Sequence, residues 1–312
     1  MILVCGEALI DMVPRNDGFY PAPGGSPYNT AIAAARLKTE VSCLGRFSRD
    51  FFGEILINHL EKNQVGTDLI VRSNENSTLA FVKLEKGREP GYIFYTEGTA
   101  DRSLSKDDIP ARLPEETRCI AFGSIALTME PVASAIESLV CREKGRAMIS
   151  FDPNIRPFMI RDRASYTRRY EQWLAASTIV KISNADIDFL YPGMELENAL
   201  EKIISAGPRL VLVTLGRDGA SALLRGEKGG IMRVIAPVVD LPVADTIGAG
   251  DTFHGAFLAW LEMHGKMSSA ALSALTETEL YNALYFSNKA ASIVCSRRGA
   301  EPPTLKDIED LP

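Results

Sequence analysis

No stretch of about eighteen or more consecutive apolar residues occurs in this chain, so none of it is expected to cross a membrane as a helix. Basic residues are in deficit. The 34 lysines and arginines face 40 acids, and the formal charge of −6 excludes a nucleic-acid or anionic-membrane partner held by bulk charge. Cysteine is scarce: Cys5, Cys43, Cys119, Cys141 and Cys295 are odd in number, scattered, and contain no C-x-x-C pair. Buried or incidental thiols in a reducing cytoplasm are the expectation. His59, His254 and His264 lack metal-ligand spacing, which argues against a zinc site. No G-x-x-x-x-G-K-S/T element is present, so the P-loop kinases are excluded. Internal repeats, low-complexity tracts and long linkers are absent too. The opening Met1-Ile2-Leu3-Val4-Cys5-Gly6-Glu7 lacks a basic leader region and reads as a first strand.

What remains has the make-up of a soluble globular enzyme. Apolar residues form 46% and charged residues 24% of 312, enough chain for one large domain or two small ones. The centre of the pattern is Asp245-Thr246-Ile247-Gly248-Ala249-Gly250-Asp251-Thr252, a glycine-rich turn running into a helix. Phe253, Phe257, Trp260 and Leu261 then recur at helical spacing on one face. Gly248 and Gly250 permit positive φ and close backbone approach. Successive N–H groups there can turn inward on an anion, and the helix dipole adds positive potential. Asp251, in the first helical turn, suits a general base beside a phosphoryl group in flight. An acidic cap on a tight turn is the other reading of the same residue.

Along the chain, Met1–Ile10 reads as a buried central strand ending at Asp11. Ligands of open α/β sheets bind outside the strand ends, so Asp11 is a candidate for ligand hydroxyls, or a solvated turn acid. Pro14–Pro23 reads as a loop. Gly24-Gly25-Ser26-Pro27-Tyr28-Asn29 leads into a helix over Thr30–Leu37, with Asn29 as a ligand amide or an N-cap. A strand over Val41–Leu44 and a helix through Leu60 follow. Between Thr78 and Glu97 the texture changes to two antiparallel strands around a turn containing Gly87, Pro90 and Gly91. That hairpin is expected to act as a lid over the sheet end, as a dimerisation face, or as both.

From Cys119 onward, strand-then-helix units return. Strands are expected over 120–122, 147–151, 178–184 and 210–215, with helices over 130–143 and after Pro157, where Tyr166, Tyr170, Trp173 and Leu174 share an apolar side. A short helix carries Asp186, Asp188 and Phe189, and Gly219 leads into a strand over Ala220–Leu224. Such repetition predicts a mostly parallel sheet covered on both faces. Functional candidates recur at strand ends: Asp11, Arg156, Asp186 and Gly216.

Gly24-Gly25 with Asn29, extended by Gly45 and Gly53, and the 245–252 turn resemble the two signatures of the ribokinase-like (PfkB) carbohydrate kinases. Their order and separation match, and the likeness runs on to Asn288 and Gly299. Asp152-Pro153-Asn154-Ile155-Arg156-Pro157 and Phe94-Tyr95-Thr96-Glu97-Gly98-Thr99-Ala100-Asp101 look most like the bacterial fructokinases. The 2-keto-3-deoxygluconate kinases share the Asp-Pro-Asn-x-Arg stretch. The resemblance implies one three-layer α/β/α sandwich with a mostly parallel sheet and a discontinuous β lid at 12–23 and 78–101.

It also implies transfer of the γ-phosphoryl group of ATP to a sugar primary hydroxyl, with Asp251 as base. The N–H groups of Gly248, Ala249 and Gly250 would form the anion hole. Asp11, Gly24, Gly25 and Asn29 would hold sugar hydroxyls. Arg156 would meet the transferring phosphoryl group, or else close the strand end through an ion pair. Thr214, Gly216 and Gly219 would follow the nucleotide phosphates and ribose, with Asn288 near the adenine. Asp186 matches the family's acid near a water-bridged Mg²⁺. Asp245, in a loop that with 295–299 resembles a monovalent-cation region, marks a K⁺ site. Ser48-Arg49-Asp50 departs from the usual Gly-x-Asp and puts a sugar-facing loop in doubt.

Two other classes compete. A nicotinamide-dependent dehydrogenase needs a third glycine that Gly248-Ala249-Gly250 lacks. A non-catalytic sensor of sugar or nucleotide on the same fold would be expected to lose its base, and Asp251 is present.

Overall fold

The computed structural model describes residues 1–15, 17–83 and 91–311. In chain order its strands are β1 (Ile2–Cys5), β2 (Leu9–Arg15), β3 (Gly18–Gly24), β4 (Val41–Ser48), β5 (Ile70–Ser73), β6 (Thr78–Lys83), β7 (Gly91–Tyr95), β8 (Cys119–Gly123), β9 (Met148–Asp152), β10 (Ile179–Ser183), β11 (Leu210–Thr214), β12 (Ala220–Arg225) and β13 (Ile231–Ala236). The helices are α1 (Ser26–Arg36), α2 (Phe51–Lys62), α3 (Val132–Glu143), α4 (Arg163–Ala176), α5 (Asn184–Leu190), α6 (Leu196–Ser205), α7 (Ala249–Met263), α8 (Ser269–Ser273), α9 (Glu277–Cys295) and α10 (Leu305–Glu309). No helix among the described residues is long and apolar enough to cross a membrane.

A nine-stranded sheet runs β13-β12-β11-β10-β9-β8-β1-β4-β5. It is parallel from β11 to β5 and antiparallel only at β12 and β13. A parallel strand covered on both faces must be apolar at successive positions. β1 and β11 meet that condition: Ile2, Val4, Leu210 and Leu212 enter one core with α1, α7 and α9. Leu3, Cys5, Val211 and Val213 enter the other, with α3, α4 and α6. The result is the expected three-layer α/β/α arrangement. Tyr166, Tyr170, Trp173 and Leu174 are buried along α4, as their spacing predicts.

The first strand differs from the expectation. Gly6 breaks the apolar run at φ +153, where a Cβ would lie 2.4 Å from Pro27 Cγ. β1 therefore stops at Cys5, and the chain resumes as β2 in a separate four-stranded sheet ordered β3-β2-β6-β7. Asp11 lies inside β2 rather than at the end of β1. The Pro14–Pro23 segment is likewise no loop, because β3 pairs with β2 as a hairpin. Pro21 and Pro23 are tolerated since β3 is an edge strand. The expected turn residues Gly87 and Pro90 lie outside the described residues.

Two helices also begin or bury differently. α1 starts at Ser26, with Pro27 in its first turn, so Asn29 sits within the helix and is not its N-cap. α7 is buried all round: every residue from Asp251 to Leu261 is enclosed, although the spacing pointed to a single apolar face.

Candidate active site

A cavity of about 600 Å³ opens where the second sheet faces the end of the large one. Asp11 and Phe94 line it from the second sheet, Gly25, Ser26 and Asn29 from α1, and Asn154 and Arg156 from the segment after β9. Lys181 of β10 and the turn Thr246–Asp251 complete it. A second cavity of about 950 Å³, lined by Asp50, Phe81 and Glu97 among others, lacks the glycine turn.

The two glycines of the turn act differently. Gly248 is the N-cap of α7 at φ +75, and a Cβ there would meet the Ala300 methyl at 2.7 Å. Gly250 does not have positive φ. A Cβ there would lie 2.9 Å from Lys181 Nζ, so the ammonium would have to move to admit one. The first-turn N–H groups of a helix have no carbonyl of their own helix to bond, so they supply donors at the cavity. Ala249 N–H makes only a long turn bond, 3.3 Å, to the Thr246 carbonyl.

Asp251 makes no cap bond. Its Oδ1 accepts from Ser26 Oγ at 2.7 Å and, more distantly, from Asn154 Nδ2 at 3.4 Å. Its Oδ2 accepts from Asn29 Nδ2 at 2.9 Å. Burial raises the carboxyl pKa; the Asn29 and Ser26 donors and the Lys181 charge oppose that rise, and Asp152 adds to it. Such a group is positioned to take a proton without being tied up as a cap.

Asp11 is pushed up to about 7 by burial and then by the neighbouring Asp251 charge, with Arg156 opposing. Gly24 is outside the cavity lining but clears space for this carboxylate, since a Cβ there would sit 2.1 Å from Asp11 Oδ2. Arg156 donates from Nη1 to Asn154 Oδ1 at 2.7 Å and to the Ile155 carbonyl at 3.1 Å. Among the described residues no ion pair engages Arg156, so its guanidinium does not close the strand end by salt bridge.

The remaining expected residues lie elsewhere. Gly216 (φ +60) and Gly219 (φ +89) shape the turn after Thr214, at the end of β11, two strand spacings (roughly 10 Å) from β9. A Cβ at Gly219 would strike the Ala236 carbonyl at 2.2 Å. Asn288 is buried on α9 and donates to the carbonyls of Ala236 and Pro237, both at 2.9 Å, so it adjoins this turn. Asp186 spends both oxygens locally: Oδ1 accepts from Ile155 N at 2.7 Å, and Oδ2 from Ser183 N and Oγ at 2.9 and 2.6 Å. Asp245 ties two loops together, accepting from Ile247 N and from Gly299 N, both at 3.0 Å. Asp50, the position that matches Gly-x-Asp, caps α2 and accepts from Gly53 N and Ser77 N, while the departing Ser48 accepts from Asp50 N at 2.9 Å through its Oγ.

Sequence reasoning passed over Ser26, Asn154, Glu7 and Lys181 as site residues. Lys181 carried a legible signal, a lone charge inside the apolar strand Ile179–Ser183, where a buried ammonium needs a partner. That partner is Asp152, at 2.9 Å.

The model of the "pfkB family carbohydrate kinase" matches residues 1–307. A fructokinase of Rhizobium leguminosarum bv. trifolii is 38% identical over 287 residues, covering 90% of this chain and 86% of that protein. A probable fructokinase-5 of Arabidopsis thaliana is 31% identical, covering 100% of this chain and 97% of its own. The crystal structure of a Xylella fastidiosa fructokinase with bound ATP superposes with a TM-score of 0.90 at 26% identity, covering 99% of this chain and 97% of that one. The glycine turn, the buried carboxylate beside it and the three-layer fold thus occur together in a chain that belongs to the pfkB family of carbohydrate kinases.

Proposed function

We propose that this chain is an ATP-dependent fructokinase that phosphorylates the 6-hydroxyl of fructose. The observation carrying the chemistry is the Asp251 carboxylate, held by Ser26 and Asn29 at the start of α7, in one cavity with Asp11, Arg156 and the 246–250 turn. The choice of sugar follows the fructokinases to which the chain is similar.

Asp251 takes the proton of the sugar hydroxyl as its oxygen attacks the γ-phosphorus. The bond from that phosphorus to the bridging oxygen of ADP breaks, ADP leaves, and the proton passes from Asp251 to solvent. The first-turn N–H groups at Gly248, Ala249 and Gly250 receive the developing charge on the phosphoryl oxygens, and Arg156 adds a charge-assisted contact. Asp11, Gly25 and Asn29 bind the sugar, with Gly24 leaving room for Asp11. Thr214, Gly216 and Gly219 follow the nucleotide, and Asn288 braces the segment that borders its base.

Mg²⁺ neutralises phosphate charge when bound. It would be held mainly by phosphate oxygens and water, because Mg²⁺ sheds water reluctantly. Asp186 would act on such an ion only through water, because its own oxygens hold Ile155 N and Ser183. Asp245, which ties the 245–248 turn to Gly299, orders a loop whose carbonyls would hold K⁺. Five free thiols suit a reducing cytoplasm. The second sheet closes over the sugar, and its other face, where Phe19, Ile93 and Tyr95 are exposed, receives a second copy of this chain.

Replacing the base tests the chemistry. Asp251→Asn is expected to lower kcat by roughly 10²–10⁴ while ATP affinity stays near that of the unmodified protein. Turnover within a few-fold of the unmodified protein would remove Asp251 as the base.

A further inference from the structure

Lys181 is the least expected charge in the molecule. Its neighbours Ile179, Val180 and Ile182 are fully enclosed, and Lys181 itself is only 3% exposed. Its Nζ pairs with Asp152 Oδ2 at 2.9 Å. On the other side it stands where a side chain at residue 250 would project, 2.9 Å from the position of a Cβ there. The ammonium group thus fills the space that a side chain at residue 250 would need, and it lines the same cavity as the glycine turn. A buried Lys–Asp pair contributes little net stability compared with apolar residues of similar volume, so folding alone is a weak reason for it. Asp152, Asp186 and Asp251 all hold the ammonium charged against its burial. His254 supplies no competing charge, because burial and Lys181 depress it to about 3, and its Nε2 is 2.7 Å from Ser150 Oγ.

We propose that Lys181 is a positioning residue of the transfer step: anchored by Asp152 and standing beside Gly250 in the same cavity, it sets the field at the Asp251 carboxylate. This rests on the phosphoryl-transfer reading above. The groups acting on Asp251 come from several elements: Asp11 on β2, Tyr92 on β7, Asp152 on β9 and Lys181 on β10. Arg156 acts on Asp11 from the segment after β9, and His254 shares α7. Of these, Lys181 favours the ionised base and Asp152 disfavours it, so removing each should move the base in opposite directions.

The test is kcat against pH for Lys181→Met and Asp152→Asn, with thermal melting of both and of the double variant. Lys181→Met should lower kcat about 10²-fold, leave the KM for fructose within about threefold, and move the acid limb of kcat to higher pH. Asp152→Asn should move that limb to lower pH. The double variant, which leaves no orphaned charge, should melt close to the unmodified protein yet stay slow. Limbs that do not move, with rates falling only as melting temperature falls, would overturn the inference while leaving the kinase reading intact. An unmodified protein that transfers no phosphoryl group to any sugar would overturn the kinase reading first, and this inference with it.

Discussion

Glu7 and Asp11 are carboxyl groups that burial holds toward their neutral forms, to about 8 and about 7 respectively. Glu7 accepts from Ser26 N at 3.3 Å and Ala126 N at 3.2 Å, so it pins the start of α1 beneath the residue that donates to Asp251. An acid whose folded pKa is raised binds more protons folded than unfolded. Its contribution to stability is therefore lost as pH rises from the ordinary carboxylate range toward the folded value. The unliganded protein should melt at progressively lower temperature between about pH 5 and 8, with Asp11 contributing up to about 7. Glu7→Gln should make that decline shallower, and an equally steep decline in the variant would contradict the assignment. Asp251, Arg156 and Asn29 were legible in the sequence because each sits in a short, patterned motif. Ser26 and Asn154 lie in the same motifs as Asn29 and Arg156, yet they and Glu7 were passed over, because their roles come from meeting Asp251 or α1 across long sequence separations. Ser26 and Asp251, for example, stand 225 residues apart.

At the scale of elements, the second sheet is the part most able to change with ligand. Asp11, Ala80 and Phe94 are in register across β2, β6 and β7 and share the face toward the cavity. Phe94 also stacks on Phe158 of the main body, ring centroids 5.8 Å apart. On the opposite face Phe81 packs edge-on against Phe19 and Tyr95, leaving an exposed apolar surface. Hydrogen–deuterium exchange reads both faces at once. Fructose should increase protection of β2, β6 and β7, and raising protein concentration without sugar should protect Phe19 and Ile93–Tyr95. Protection unchanged by sugar would remove the lid, and protection independent of concentration would remove the dimer face. The 78–95 strands were legible from alternation. The 14–23 hairpin was not, because prolines read as loop until β3 is known to be an edge strand.

For the whole molecule, the parallel sheet was legible because strands buried on both faces leave continuous apolar runs, and helices between them carry one-sided spacing. The break after Cys5 was hidden for the same reason. Apolar residues resume after Gly6-Glu7 and run through Ile10 although the chain changes sheets at Gly6, where a Cβ would lie 2.4 Å from Pro27 Cγ. The geometry also separates two regions at one end of the sheet's strands: the cavity around Asp251, and the Gly219–Asn288 corner beyond β10. Transfer between a sugar in the first and a nucleotide along the second is the central claim. It is tested most directly by ADP release from Mg-ATP with fructose, 2-keto-3-deoxygluconate, ribose, tagatose and adenosine, with and without K⁺. A dominant fructose signal that K⁺ increases is expected. Release with none of the acceptors while ATP still binds would contradict it, and release with another acceptor alone would contradict the choice of fructose.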